Sequence, residues 1–151
     1  MHSLVRRFIK TAIAFLAVGL AIGAWMVIQR EIYLRYPSSY ATSAHTHAIF
    51  VGFVMMMILG VALWLFPKPE RGDLRYDPKL VSIAYWFLTV GTSVRVVTEL
   101  GRLYSAAYWL RWSVVIASFC QLAGVAVFFF TMWSRIRSAG SHVREAKGER
   151  F

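Results

Sequence analysis

Four long apolar runs divided by short polar stretches make up most of the chain, at residues 8–28, 45–66, 80–100 and 108–133. A hydrocarbon core of about 30 Å takes about 20 apolar residues at 1.5 Å rise each, and all four runs reach that length. Charges gather in clusters between the runs instead of along one face of each helix, which is the pattern of helices set in lipid and not of amphipathic helices on a soluble core. The expected fold is all-α: an integral membrane four-helix up-and-down bundle over residues 1–137, followed by a charged tail at 138–151.

The connections differ in character. Residues 29–44 are polar and tyrosine-rich, with Pro37-Ser38-Ser39 as a turn and Thr42 or Ser43 expected to cap the second helix. Residues 67–79 carry Pro67, Pro69, Gly72 and Pro78, a firm break between helices two and three. Residues 101–107 are so few that helices three and four must form a tight antiparallel hairpin.

Composition agrees, with 58% hydrophobic and 16% charged residues. Arg6, Arg7 and Lys10 ahead of an apolar run also describe a secretory signal, but this run exceeds a signal's apolar region of about 7 to 15 residues, and the helix is expected to be retained. The N-terminus, the 67–79 loop and the tail hold 12 Lys and Arg, against four in the other loops, Arg30, Arg35, Arg102 and Arg111. Both termini are therefore expected in the cytoplasm, N-in and C-in, as in a multi-pass protein of a bacterial inner membrane. The net charge of +10 then reflects topology and contact with the anionic lipid bilayer, and no folded basic surface for nucleic acid is present. Tyr and Trp residues gather near both ends of the runs as interfacial belts. Cys120, the single cysteine, excludes an intramolecular disulfide, a cysteine zinc site and an iron–sulfur cluster.

Titratable groups inside a membrane are costly and mark candidate sites. His45 and His47 open the second run, and on a helix they point about 200° apart, so without distortion they cannot ligate one ion together. His45 shares its stripe with Gly52, Met56 and Gly60, where another helix or a flat ring can approach closely; His47 shares one with Val51, Val54 and Ile58. His45 is the better ligand candidate. Arg95, Glu99 and Arg102 occupy one face of the third helix at the same depth, where arginine forks could bind carboxylates or where Arg95 and Glu99 could form an intrahelical pair. Met26 lies at this depth as a candidate second axial ligand, while Met55, Met56 and Met57 point around the helix and read as core filling rather than a copper run. Thr89, Thr92, Ser93, Ser113, Ser118 and Gln121 read as interhelical hydrogen-bonding residues, and His2 and His142 as solvated.

The run Ser43-Ala44-His45-Thr46-His47-Ala48-Ile49-Phe50-Val51-Gly52-Phe53, continuing through the methionines to Phe66-Pro67, resembles the second helix of the catalytic subunit of haem–copper oxidases. It is most similar to the branch of cbb3-type oxidases and nitric oxide reductases, and the resemblance covers the first two helices. It implies an axial role for His45 towards a low-spin haem near the outer face, with His47 standing where that branch often has asparagine. The family's catalytic subunit is far longer and has histidines for two haems and a second metal. With two intramembrane histidines, this chain is not expected to build the oxygen- or nitric-oxide-reducing centre by itself.

The resemblance implies a small membrane protein that binds haem b through His45, with His47 or Met26 as further ligand candidates and Arg95 and Arg102 near the propionates, acting in respiratory electron transfer or in binding of a diatomic gas. No catalytic residue is assigned. A second histidine could come from a homo-oligomer, with a dimer favoured. The alternatives are an accessory or assembly subunit of a larger respiratory complex, and a quinone or copper site at His45, His47 and Glu99. The topology is testable directly: a reporter that folds only in the cytoplasm should be active when fused after residue 136 or within 68–74, and silent within 33–37 or 103–106.

Overall fold

The computed structural model describes residues 3–67, 75–136 and 147–148. Among them four helices are long and apolar enough to cross a membrane: α1 (Ser3–Glu31), α2 (Ser39–Leu65), α3 (Pro78–Gly101) and α4 (Tyr108–Arg135). No strand occurs among the described residues. His2, His142, loop residues 68–74 and nearly all of the 138–151 tail lie outside them.

Helices α1, α2 and α3 start upstream of their apolar runs because apolarity marks where lipid begins, whereas a helix begins where its first amides find acceptors. For α2 that acceptor is Ser38, extended at φ −69° and ψ 155°, whose Oγ accepts from Ala41 N at 3.3 Å. Thr42 and Ser43, expected as caps, are inside the helix, so the histidines lie beyond the first turn of α2 and not at its start. In α3, Asp77 Oδ1 accepts from Lys79 N at 2.8 Å and Pro78 takes the first turn, where its missing amide is not needed.

From Ala48 to Met55, directly after His47, α2 is π-helical. Gly52 at the middle and the β-branched Ile49, Val51 and Val54 make this its weakest α-forming stretch, and widened turns of this kind recur at functional sites.

The buried face of α1 repeats at Val5, Phe8, Ala12, Phe15, Gly19 and Ile22, alternating three and four residues as in a coiled-coil seam. Against it, α2 presents glycine: a Cβ on Gly60 would stand 2.9 Å from Phe8 Cβ, and one on Gly52 2.5 Å from Phe15 Cγ. Helices α3 and α4 close in the same way, since a Cβ on Gly91 would meet Ala117 O at 3.0 Å and one on Gly124 would meet Leu88 Cγ at 2.9 Å. Small residues let helix backbones approach where no hydrophobic effect drives them together. All four helices meet in one core, where Phe8 packs edge-on against Tyr85 and Phe128 at centroid distances of 5.2 and 5.9 Å beside buried Met56. The Tyr85 hydroxyl shares a 2.8 Å hydrogen bond with Thr11 Oγ1, joining α3 to α1. Towards the histidines a second, smaller cluster of Ile22, Ala44, Ala48 and Val96 draws on α1, α2 and α3 only.

Arg135, which the sequence places among the flanking charges, is 5% exposed. Its Nε donates to Pro67 O at 2.7 Å, and its Nη2 to Phe66 O at 2.9 Å and Leu63 O at 3.2 Å, while the guanidinium stands 5.0 Å from the Tyr76 ring centroid. The end of α4 thereby satisfies the carbonyls that the last turn of α2 leaves open. Arg135→Ala should destabilise the bundle by about 2 kcal/mol, the loss of charge-assisted bonds to buried acceptors, read as a lower midpoint in detergent denaturation.

Candidate functional site

The two histidines part company as helix geometry requires. His45 turns to α1, where its Nδ1 lies 2.8 Å from Gly19 O. Its ring fills the space a side chain on Gly23 would need, since a Cβ there would stand 2.9 Å from Cε1 and 3.2 Å from Nδ1. A carbonyl only accepts, so the hydrogen bond assigns the proton to Nδ1 and leaves the Nε2 lone pair for a ligand. A backbone acceptor on the far ring nitrogen also fixes ring orientation and raises ligand basicity.

His45 lines a cleft of about 490 Å3 with Gly23, Met26, Val27, Arg30, Pro37 and Thr42. Leu34, at φ 53°, turns the chain after α1 and brings the 36–37 segment over this cleft. Of the sequence candidates, His45 and Met26 come together here. Arg30 joins them without having been singled out, as do Gly19 and Gly23. The G-x-x-x-G spacing of Gly19 and Gly23 in an apolar helix was the available signal for a close helix approach.

His47 belongs to another cluster. Its Nδ1 donates back to Ser43 O at 2.9 Å, within its own helix. Ser43 Oγ in turn donates to Glu99 Oε1 of α3 at 2.8 Å, and Arg95 Nε donates to the same oxygen at 3.0 Å. Arg95 Nη1 continues to Ser118 Oγ of α4 at 2.8 Å, so one polar chain ties α2, α3 and α4 together. Its anchor, Glu99, is 3% exposed. Arg102 Nη2 donates to Tyr40 OH at 2.7 Å, with its guanidinium 4.3 Å from that ring's centroid. Arg95 on α3 and Arg102 just past its end are thus engaged apart from the His45 cleft. Deeper in, Gln121 Nε2 donates to Thr92 Oγ1 at 3.0 Å, the interhelical role expected of both. Among the described residues, no three His, Cys, Asp or Glu side chains converge on a point that could hold a metal ion.

The sequence pattern of the family described as "Cytochrome C and Quinol oxidase polypeptide I" matches residues 3–146. The chain belongs to that family. It is 26% identical, over 107 residues, to the "Cbb3-type cytochrome c oxidase subunit CcoN1" of Stutzerimonas stutzeri, an alignment that takes in 71% of this chain and 20% of that relative. The chain therefore spans about a fifth of the relative's length. No solved structure matches it. The four helices long and apolar enough to cross a membrane agree with membership in the oxidase polypeptide I family.

Within the polar chain, removing Glu99 leaves Arg95 without its carboxylate in a largely buried setting. Glu99→Ala should destabilise the protein by about 3 kcal/mol, the lower end for breaking a buried pair because Arg95 keeps 18% of its side chain exposed, measurable by the same denaturation midpoint.

Proposed function

We propose that this oxidase-family chain holds a b-type haem in the cleft beside His45, for electron transfer or binding of a diatomic gas, without a complete binuclear centre of its own. The observation that carries the reading is the His45 ring, held by Gly19 O through Nδ1 so that Nε2 is left for a ligand. The donor set suits an iron porphyrin: an imidazole nitrogen, the Met26 thioether as a second candidate ligand, apolar walls, and Arg30 to pair a propionate. Haem supplies, when bound, a one-electron centre or an iron site for a gas. The protein's own part is to orient His45 through the Gly19 carbonyl and to wall the cleft with Val27, Tyr36 and Pro37. Arg95 and Arg102, expected beside the propionates, are engaged by Glu99 and Tyr40 away from this cleft, whereas Arg30, ion-paired to Glu31 at 2.6 Å, already lines it, which favours Arg30 for that role. With Met26 in the same cleft, a second ligand does not require a two-fold partner.

In this reading both termini face the cytoplasm and the cleft opens near the outer surface, supported by the excess of Lys and Arg at the opposite end. The match to a cbb3-type oxidase subunit supports a second possibility, that the chain works as part of a larger respiratory complex.

Protein purified from haem-replete cells should show a dithionite-reduced α band in the b-haem region. His45→Ala should abolish the band and His47→Ala preserve it, while Gly23→Leu, which drives a side chain into the His45 ring, should weaken it strongly. A band that survives His45→Ala and disappears in His47→Ala would overturn the ligand assignment; no band in the wild-type protein would overturn the haem reading.

A further inference from the structure

Of the acidic residues described, Glu31 ends α1, Asp77 caps α3, and Glu99 alone lies inside a membrane helix and buried. Its two oxygens are used unequally. Oε1 receives both Ser43 Oγ and Arg95 Nε, whereas Oε2, fully buried, has no hydrogen-bond partner. The paired guanidinium is also incompletely used: Nε and Nη1 are engaged, and Nη2 makes no hydrogen bond among the described residues. A bare carboxylate oxygen in a low-dielectric interior costs more than immobilising one water molecule. A buried water needs at least two polar partners, and here an acceptor and a donor belong to the same ion pair.

We propose that Glu99 Oε2 and Arg95 Nη2 form an internal water-binding site that hydrates the pair inside the membrane. Access is short. Glu99 sits two residues before the end of α3 at Gly101, less than one helical turn from the loop, while its Ser43 partner lies in the polar first turns of α2. Around Glu99 stand Arg95 on its own helix and Arg102 just past its end, Ser43 with His47 behind it on α2, and Ser118, reached through Arg95, on α4, with the apolar cluster of Ile22, Ala44, Ala48 and Val96 adjoining. None is a second acid that would compete for the arginine. Thr89 Oγ1, deeper along α3, is the other buried side-chain oxygen without a partner among the described residues, and it carries no charge.

The site does not depend on haem and is tested on the whole protein in lipid nanodiscs, with or without haem. Pulsed radiolytic hydroxyl labelling, which modifies side chains beside bound water in place, should modify Glu99 and its buried neighbour Val96 several-fold more than the comparably buried Thr92 and Gln121. Glu99→Leu should remove that excess at Val96. Arg95→Lys, which keeps the charge but loses Nη2, provides a second variant and should reduce the labelling. The proposal is overturned by labelling of Glu99 and Val96 no greater than that of Thr92 and Gln121 in the wild-type protein, or by an excess at Val96 that survives Glu99→Leu.

Discussion

Helices α1 and α2 approach each other through glycine, and the candidate site depends on that approach. In lipid no hydrophobic effect pushes two apolar helices together, so contact comes from packing, and packing is closest where a side chain is missing. Gly52 and Gly60 on α2 receive Phe15 and Phe8, while Gly23 on α1 receives the His45 ring. The exchange is reciprocal: each helix gives up side chains where the other inserts them. At the His45 end it also lets an imidazole reach the Gly19 carbonyl, a contact that a Cβ at position 23 would push aside. The ligand geometry is thus a consequence of helix packing and not a separate device.

The same shortage of water explains how the polar groups are distributed. Several inside the bundle find a partner on a neighbouring helix, and each such bond also fixes the relative placement of two helices. Thr11 and Tyr85 join α1 to α3, Ser43 and Glu99 join α2 to α3, Arg95 and Ser118 join α3 to α4, and Arg135 closes α4 onto the last carbonyls of α2. Apolar side chains such as Leu20, Ile58, Val97 and Phe119 are left on the outside, where lipid is the solvent. Two separate polar systems result at the histidine end: an open cleft at His45 between α1 and α2, and a closed hydrogen-bonded chain between α2, α3 and α4. The first suits a ligand, the second a permanently held charge pair.

Membership in the oxidase polypeptide I family, together with a span of about a fifth of a cbb3-type subunit, frames what this arrangement does. A single oriented imidazole beside a thioether and a cation is the donor set on which the haem proposal rests. The π-helical stretch immediately after His47 lies deeper than the cleft, where Ile49 packs on Gly19 and Gly52 receives Phe15.

The number and approximate place of the spanning helices were legible in the sequence, because bilayer thickness fixes a length and a hydropathy that any span must meet. The opposed directions of His45 and His47 were legible too, since helical periodicity alone separates residues two apart, and the Gly52 and Gly60 stripe correctly marked the face that meets another helix. The true start of α2 at Ser39 was not, because capping depends on which hydroxyl reaches an amide, and Ser38, Ser39, Thr42 and Ser43 all offered one. Nor could periodicity assign partners between helices. Arg95, Glu99 and Arg102 share a face, yet only the packed bundle directs Arg95 to Ser118, Arg102 to Tyr40 and Arg30 to the histidine cleft. Arg135 shows the same division most sharply: its charge and position suggested a solvated flank, and tertiary structure buried it against carbonyls. Sequence determined what must lie in the membrane, a matter of transfer energy per residue; tertiary structure decided which polar atoms meet, a matter of helix rotation and distance that no single segment contains.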